Sequence, residues 1–185
     1  MNYANIKFND IANGEGVRTS LFVSGCTHHC KGCFNREAWD FNYGHKYNLA
    51  VEHLILDSLA PEHINGLTLL GGEPMEIVNQ EGLLPLLKKV KEKYPNKTIW
   101  CYTGYLFDEE LLKPSRARGE HTDEILSLID VMVDGKFVLE LKDITLRFKG
   151  SSNQRVIDVQ QSLKQNKVVL SPFNNKKSND FHSTL

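Results

Sequence analysis

Residues 19–35 read TSLFVSGCTHHCKGCFN. The first six, Thr19–Ser24, are a short, mostly apolar run bounded by turn residues, the pattern of a buried strand. That strand runs straight into a loop whose cysteines are spaced C-x3-C-x2-C, at Cys26, Cys30 and Cys33. Thiolates are soft ligands that suit iron–sulfur clusters and zinc. Three sulfurs on one tight loop can cap three corners of a cubane, leaving the fourth iron without a cysteine from this loop. An open position of that kind is where substrate or cofactor binds in catalytic metal sites. The competing reading is a structural zinc site completed by His28 or His29. Structural zinc takes paired knuckles and four protein ligands, whereas here the second knuckle is missing and both histidines lie inside the loop. The sequence therefore favours the cluster, with His28 and His29 facing solvent or hydrogen-bonded within the loop.

Outward from this segment, strand and helix alternate. Asn48 can cap a helix whose stripe is Val51, Leu54, Ile55 and Leu59. Leu67–Leu70 is a second apolar strand, ending at Gly71–Gly72–Glu73–Pro74. A helix follows from about Glu81 to Tyr94, with Pro85 placed near its first turn. Thr98–Tyr102 is a third strand, stopped by Thr103–Gly104, and Val131–Val133 a fourth, stopped by Asp134–Gly135. Short helical pieces are expected near Asp108–Lys113 and Thr122–Ile129. Ile144–Phe148 alternates like a further strand, Val156–Leu163 reads as helical, and Val168–Leu170 as a last short strand. Asn2–Gly16 is polar and carries no element in this reading. The alternation predicts βα units and a mainly parallel sheet, in a single domain over residues 1–170 followed by a polar tail, 171–185. In parallel α/β folds ligands bind at the carboxyl ends of the strands, where these polar, glycine-bearing turns fall.

Composition agrees with a globular chain of one domain. Of 185 residues, 41% are apolar, and 22 basic side chains stand against 23 acidic ones, a formal net charge of −1. That balance gives no electrostatic footprint for nucleic acid or an anionic membrane. The N-terminus lacks the basic and apolar regions of a signal peptide, and no apolar run approaches the length of a bilayer span. A soluble cytoplasmic protein is the expectation. Three of its four cysteines crowd one loop, which argues for metal ligation over a disulfide framework. Cys101, between Trp100 and Tyr102, reads as a buried inert thiol.

The other turns carry two readings each. Gly71 and Gly72 let the backbone approach a ligand, and Glu73 offers a carboxylate to a ligand ammonium, with Pro74 stiffening the exit. An ordinary strand-to-helix turn with Glu73 at the helix N-terminus is the alternative. Tyr102, Thr103, Gly104 and Tyr105 belong either to the core or to a site. Asp134 and Lys136 either touch a cofactor or decorate a solvated turn.

A C-x3-C-x2-C loop after the first strand, with GGEP after the second, resembles the radical S-adenosylmethionine superfamily. The ordered segments NGEGVRTSLFVSGC, GCFN, GGEP, YTGY, VDGKF and GSSNQR, from about Asn13 to Val159, are similar to the activating proteins of anaerobic ribonucleoside-triphosphate reductases. The resemblance implies a partial, open βα barrel of the radical S-adenosylmethionine type and a [4Fe–4S] cluster on Cys26, Cys30 and Cys33. It further implies S-adenosylmethionine held near Gly32, Phe34, Gly71, Gly72, Glu73, Pro74, Thr103, Asp134 and Lys136. The activity it implies is formation of a glycyl radical on the large reductase subunit, with a flavodoxin-like electron donor and a homodimer left open. Two departures stand out. Gly32 occupies the position before the third cysteine where many superfamily members have an aromatic residue, and Phe34 is the substitute offered. Lys149 precedes GSSNQR where arginine would be more familiar. Arg18, Arg155 and the Gly150–Arg155 loop read either as contacts to partner or cofactor or as surface charge. A small-substrate radical enzyme resembling 7-carboxy-7-deazaguanine synthase and a non-catalytic zinc or iron–sulfur module are the rival functions.

Overall fold

The computed structural model describes residues 1–175. Seven strands form one sheet: β1 (Asn2–Asp10), β2 (Val17–Val23), β3 (His45–Lys46), β4 (Ile64–Gly71), β5 (Thr98–Tyr102), β6 (Val131–Asp134) and β7 (Arg155–Asp158). Their order is β3-β1-β2-β4-β5-β6-β7. The four central strands β2, β4, β5 and β6 are mutually parallel, and β1, β3 and β7 add antiparallel margins. The sheet is thus parallel at its centre, mixed at its rims and open, with β3 and β7 as its edges.

Four α-helices accompany it: α1 (Leu49–Ser58), α2 (Ile77–Lys93), α3 (Thr122–Leu128) and α4 (Val159–Gln165). The Asn48 side chain caps α1 by accepting from the Val51 amide at 3.1 Å, satisfying one of the donors a helix start leaves orphaned. Its buried residues include Ile55 and Leu56, with Leu59 buried just beyond its end, while Leu54, expected on that stripe, faces out. Helix α2 begins a turn earlier than its sequence suggests. Pro85 therefore sits inside it, on the exposed side, where solvent can serve the carbonyl the proline leaves without an N–H.

Side chains alternate across a strand, so β5 feeds two cores. Ile99 and Cys101 join Leu21, Leu69, Leu86, Leu87 and Ile125 in the main apolar core, which includes residues from all four helices. Trp100 turns the other way, into a smaller cluster with Val133, Val156, Tyr102, Phe148 and Phe173. Phe148 and Phe173 pack on Trp100 at ring separations of 5.0 and 5.5 Å.

Several expectations are corrected here. Asn2–Gly16 holds β1, whose outward face is polar because it lies near the sheet margin. Ile144–Phe148 is not a strand: Phe148 packs on the second face of the sheet while Ile144 is exposed and Arg147 turns in to Glu15, so burial does not follow the alternation. Arg155–Asp158 forms β7 before α4 begins at Val159. Leu170 makes an isolated bridge with Ile157. Phe107–Leu111 is one π-helical turn. Residues 171–175, read as part of the tail, pack on the domain: Ser171 N donates to Val156 O at 2.8 Å and Asn174 Oδ1 accepts from Val156 N at 2.9 Å. The rest of that tail lies outside the described residues.

Candidate active site

The parallel strands end together. Val23 pairs with Gly71 and Tyr102 with Val133, so the turns that follow β2, β4, β5 and β6 meet along one rim. The backbone ties them: Gly72 N donates to Val23 O at 2.7 Å, Glu73 N to Gly25 O at 2.8 Å, and Thr103 N to Val133 O at 2.9 Å. Asn79, buried on α2, clamps the first two turns by donating to Ser24 O at 3.0 Å and Glu73 O at 2.9 Å.

A cavity of about 590 Å³ opens at this rim. Cys26, Cys30, Cys33, Gly32, Phe34, Gly71, Gly72, Glu73 and Thr103 all border it, as do Phe22, Leu70 and Tyr102 from the second face of the sheet. Its far wall is the segment Lys142–Gly150 with Gln154; Gly150 and Gln154 belong to the loop offered as a cofactor or partner contact, whereas sequence reading did not connect Lys142–Lys149 to the site. That wall is placed by packing of Phe148 on Trp100 and by Gln154, whose side-chain carbonyl accepts from Gly150 N at 2.8 Å.

The three thiols are all unpaired in disulfides. Burial pushes the Cys26 thiol up to about 11, helped by the charge of Glu73 and opposed by backbone hydrogen bonds from His28 and His29. Burial also raises Cys30, against a backbone hydrogen bond from Phe137 and the nearby charge of Lys136. Both histidines of the loop are engaged elsewhere. His28 Nε2 lies 2.8 Å from Glu73 Oε2, and His29 stacks on Trp39 at 4.5 Å. The other ring nitrogen of His28, Nδ1, is buried without a hydrogen-bond partner.

Gly32 explains its own presence. Its φ of +77° is strained for any side chain, and an added Cβ would stand 2.9 Å from Leu139 Cδ1. An aromatic residue there would be strained and would have to displace Leu139, and Phe34 is instead 96% exposed at the cavity mouth.

Other expected contacts are placed differently. Glu73 is 1% exposed and its carboxylate is already occupied by Met75 N at 2.8 Å, Gly104 N at 2.7 Å and His28. It braces the turns, and Gly71 and Gly72 present backbone to the cavity. Pro74 is buried and does not line the cavity. Asp134 is fully buried, accepting from Phe107 N at 2.8 Å and pairing with Arg155, so it has no face left for a cofactor. Lys136 is exposed outside the lining, near Cys30. Arg18 is neither at a surface nor at the cavity. Its guanidinium is buried in the sheet on Thr68, Thr98, Leu67 O and Glu15 O. Within the Gly150–Arg155 loop, Gln154 borders the cavity while Arg155 bonds to Asp134 and Asp108.

A family model for a 4Fe-4S single cluster domain matches residues 12–157, which spans β2 to β6, most of β7, the cysteine loop and the far wall. The fold and site thus define an iron–sulfur protein. Among curated proteins, the chain is 46% identical over 156 residues to the anaerobic ribonucleoside-triphosphate reductase-activating protein of Haemophilus influenzae, covering 83% of this chain and 96% of that one. The protein of that name from Escherichia coli K12 is 41% identical, covering 84% and 97%. That of Enterobacteria phage T4 is 38% identical, covering 84% and 93%. The chain belongs to the family of anaerobic ribonucleoside-triphosphate reductase-activating proteins. No helix among the described residues is long and apolar enough to cross a membrane.

Proposed function

We propose that this protein activates an anaerobic ribonucleoside-triphosphate reductase by generating a glycyl radical on its large subunit, through reductive cleavage of S-adenosylmethionine at a [4Fe–4S] cluster. The observation that carries the reading is the meeting of Cys26, Cys30 and Cys33 with the glycine turns of β4 and β5 around one cavity. The donor set fits the cluster: three soft thiols from one loop leave one corner for a second ligand. The surroundings fit a polar cofactor as well. Gly72 has no room for a side chain, since a Cβ would stand 2.5 Å from Gly25 O, and the Tyr102 hydroxyl at the cavity is buried without a protein partner.

When bound, the cluster and S-adenosylmethionine supply a deoxyadenosyl radical that takes a hydrogen atom from the target glycine. The chain's own residues prepare for this. The cysteine loop exposes its thiols to the cavity, and each must shed its proton to ligate. Backbone of Gly71 and Gly72 offers close approach to the methionine portion. Phe22, Leu70 and Phe148 give the cavity apolar walls that keep water from the reacting centre. We read the open sheet as the partial βα barrel of the superfamily, its unpaired side admitting a loop of the reductase. A flavodoxin-like donor, a cytoplasmic setting and a homodimer complete the reading.

The test is anaerobic reconstitution with iron and sulfide, reduction, addition of S-adenosylmethionine, and assay of 5′-deoxyadenosine with and without the reductase. A glycyl doublet in the EPR spectrum of the reductase, lost on changing Cys26, Cys30 or Cys33 to Ala but kept on Cys101→Ala, is expected. Deoxyadenosine without a radical on the reductase would favour a small-substrate enzyme. Bound zinc and no cluster would overturn the radical chemistry altogether.

A further inference from the structure

We propose that His28 is a positioning residue that locks the cysteine loop to the Gly71–Pro74 and Thr103–Gly104 turns and so sets the placement of S-adenosylmethionine relative to the cluster. The inference rests on the reading of the cavity given above and concerns a side chain that the C-x3-C-x2-C spacing leaves unspecified.

Glu73 is the hub. One of its oxygens lies 2.8 Å from His28 Nε2 and accepts from Gly104 N at 2.7 Å, while the other accepts from Met75 N at 2.8 Å. A single buried carboxylate thus joins the loops after β2, β4 and β5. Nε2 makes the ring's hydrogen bond to Glu73, and Nδ1 is buried without a partner. The histidine side chain is 2% exposed and its ring packs edge-on against Tyr105 at 4.3 Å. Its backbone amide meanwhile hydrogen-bonds the Cys26 thiol. The residue therefore touches a cluster ligand through its main chain and the two cofactor turns through its ring.

Gly104 supplies an independent observation. A Cβ there would stand 2.5 Å from His28 Cδ2 and 2.6 Å from Nε2. The glycine of the β5 turn is thus required by the histidine of the cysteine loop. Groups that orient metal-site ligands in this way matter to binding nearly as much as the ligands do.

The experiment compares the full chain with His28→Ala, His28→Gln, Gly104→Ala and the His28→Ala/Gly104→Ala pair. Each is reconstituted anaerobically and read for iron content, for S-adenosylmethionine affinity by equilibrium dialysis, and for the change in the reduced-cluster EPR signal on adding S-adenosylmethionine. Amide exchange at Gly104 is measured in the metal-free proteins. His28→Ala should keep its cluster, weaken S-adenosylmethionine binding about tenfold and speed exchange at Gly104, with Gln restoring affinity to within about threefold. Gly104→Ala should weaken binding to a similar extent, and the pair should lose no more than either alone, because both act through one contact. Unchanged affinity in His28→Ala, additive losses in the pair, or cluster loss that Gln does not repair would overturn the proposal. A wild-type protein that holds the cluster yet takes up no S-adenosylmethionine would instead overturn the functional reading. Exchange at Gly104 would then still decide whether His28 joins the turns.

Discussion

Arg155 Nε donates to Asp134 Oδ1 at 2.9 Å across the antiparallel β6–β7 ladder, in which the two residues are register partners. The same guanidinium reaches Asp108 at 2.7 Å, tying the π-helical turn to the sheet edge. Asp134 is fully buried, so Arg155 supplies the partner that water cannot. Arg155→Met is expected to cost about 3 kcal/mol in chemical denaturation by stranding that charge. Asp134→Asn keeps an acceptor for the Phe107 amide and should cost less. Equal stability of Arg155→Met and wild type would refute the assignment.

Arg18 is a buried cation satisfied by neutral groups. Burial lowers its pKa to about 10, against the raising effect of surrounding Tyr102, Asp130, Asp10 and Glu15. Its fork spans β2, β4 and β5, bonding Thr68 Oγ1 at 2.7 Å, Leu67 O at 2.9 Å and Thr98 O at 2.8 Å. A lysine cannot reach all of these with one ammonium. Arg18→Lys should therefore destabilise by about 2–3 kcal/mol, by leaving buried carbonyls without donors. A urea midpoint matching wild type would show that the fork is dispensable.

Acid should weaken the fold through two carboxylates held below the ordinary value of 3.8. At Asp10, burial acts upward but is outweighed by hydrogen bonds from Asn13, Ser20 and the Ala12 amide and by the charge of Lys7. At Asp108, burial is outweighed chiefly by Arg155. A folded pKa below the unfolded one gives stability that is complete above the unfolded value and is lost as pH falls through the folded value. Denaturation midpoints should hold steady at about pH 6 and fall below about pH 4. Asp10→Asn should make that fall shallower. An unchanged slope in the variant would remove Asp10 from the account.

Gly72 is demanded by space. A Cβ would approach Gly25 O at 2.5 Å and Ala38 O at 2.8 Å, both backbone atoms of the loop that carries the cysteines. Gly72→Ala should cost about 2 kcal/mol through that overpacking. It should also impair S-adenosylmethionine binding while leaving the three thiols able to ligate. Full cofactor affinity in the variant would show that the cradle tolerates the shift.

Much of the site is legible in the chain because its parts are local. Cysteine spacing, the glycines of the β4 turn and the apolar runs before them are set by neighbours a few residues away. What went unread is long-range. Glu73 reads as a free acid beside a glycine turn, yet His28 and Gly104, 45 and 31 residues away in sequence, occupy it. Arg18 reads either as a partner or cofactor contact or as surface charge, because one basic residue at a strand start looks the same whether ligand, solvent or carbonyls surround it. Ile144–Phe148 alternates like a strand in sequence, yet Phe148 packs on Trp100 while Ile144 stays exposed, and β1 was hidden by the polarity proper to a marginal strand.

The sequence by itself determined the βα alternation, the strand-ending turns and the cysteine spacing, since each follows from propensity and periodicity over a few residues. The tertiary structure decided which of those turns meet, that Glu73 and Asp134 are spent on bracing, and that a side chain at Gly32 would press on Leu139 and one at Gly104 on His28. Those outcomes depend on burial and on contacts between distant segments, which become definite only when the parallel strands bring their carboxyl ends to one rim.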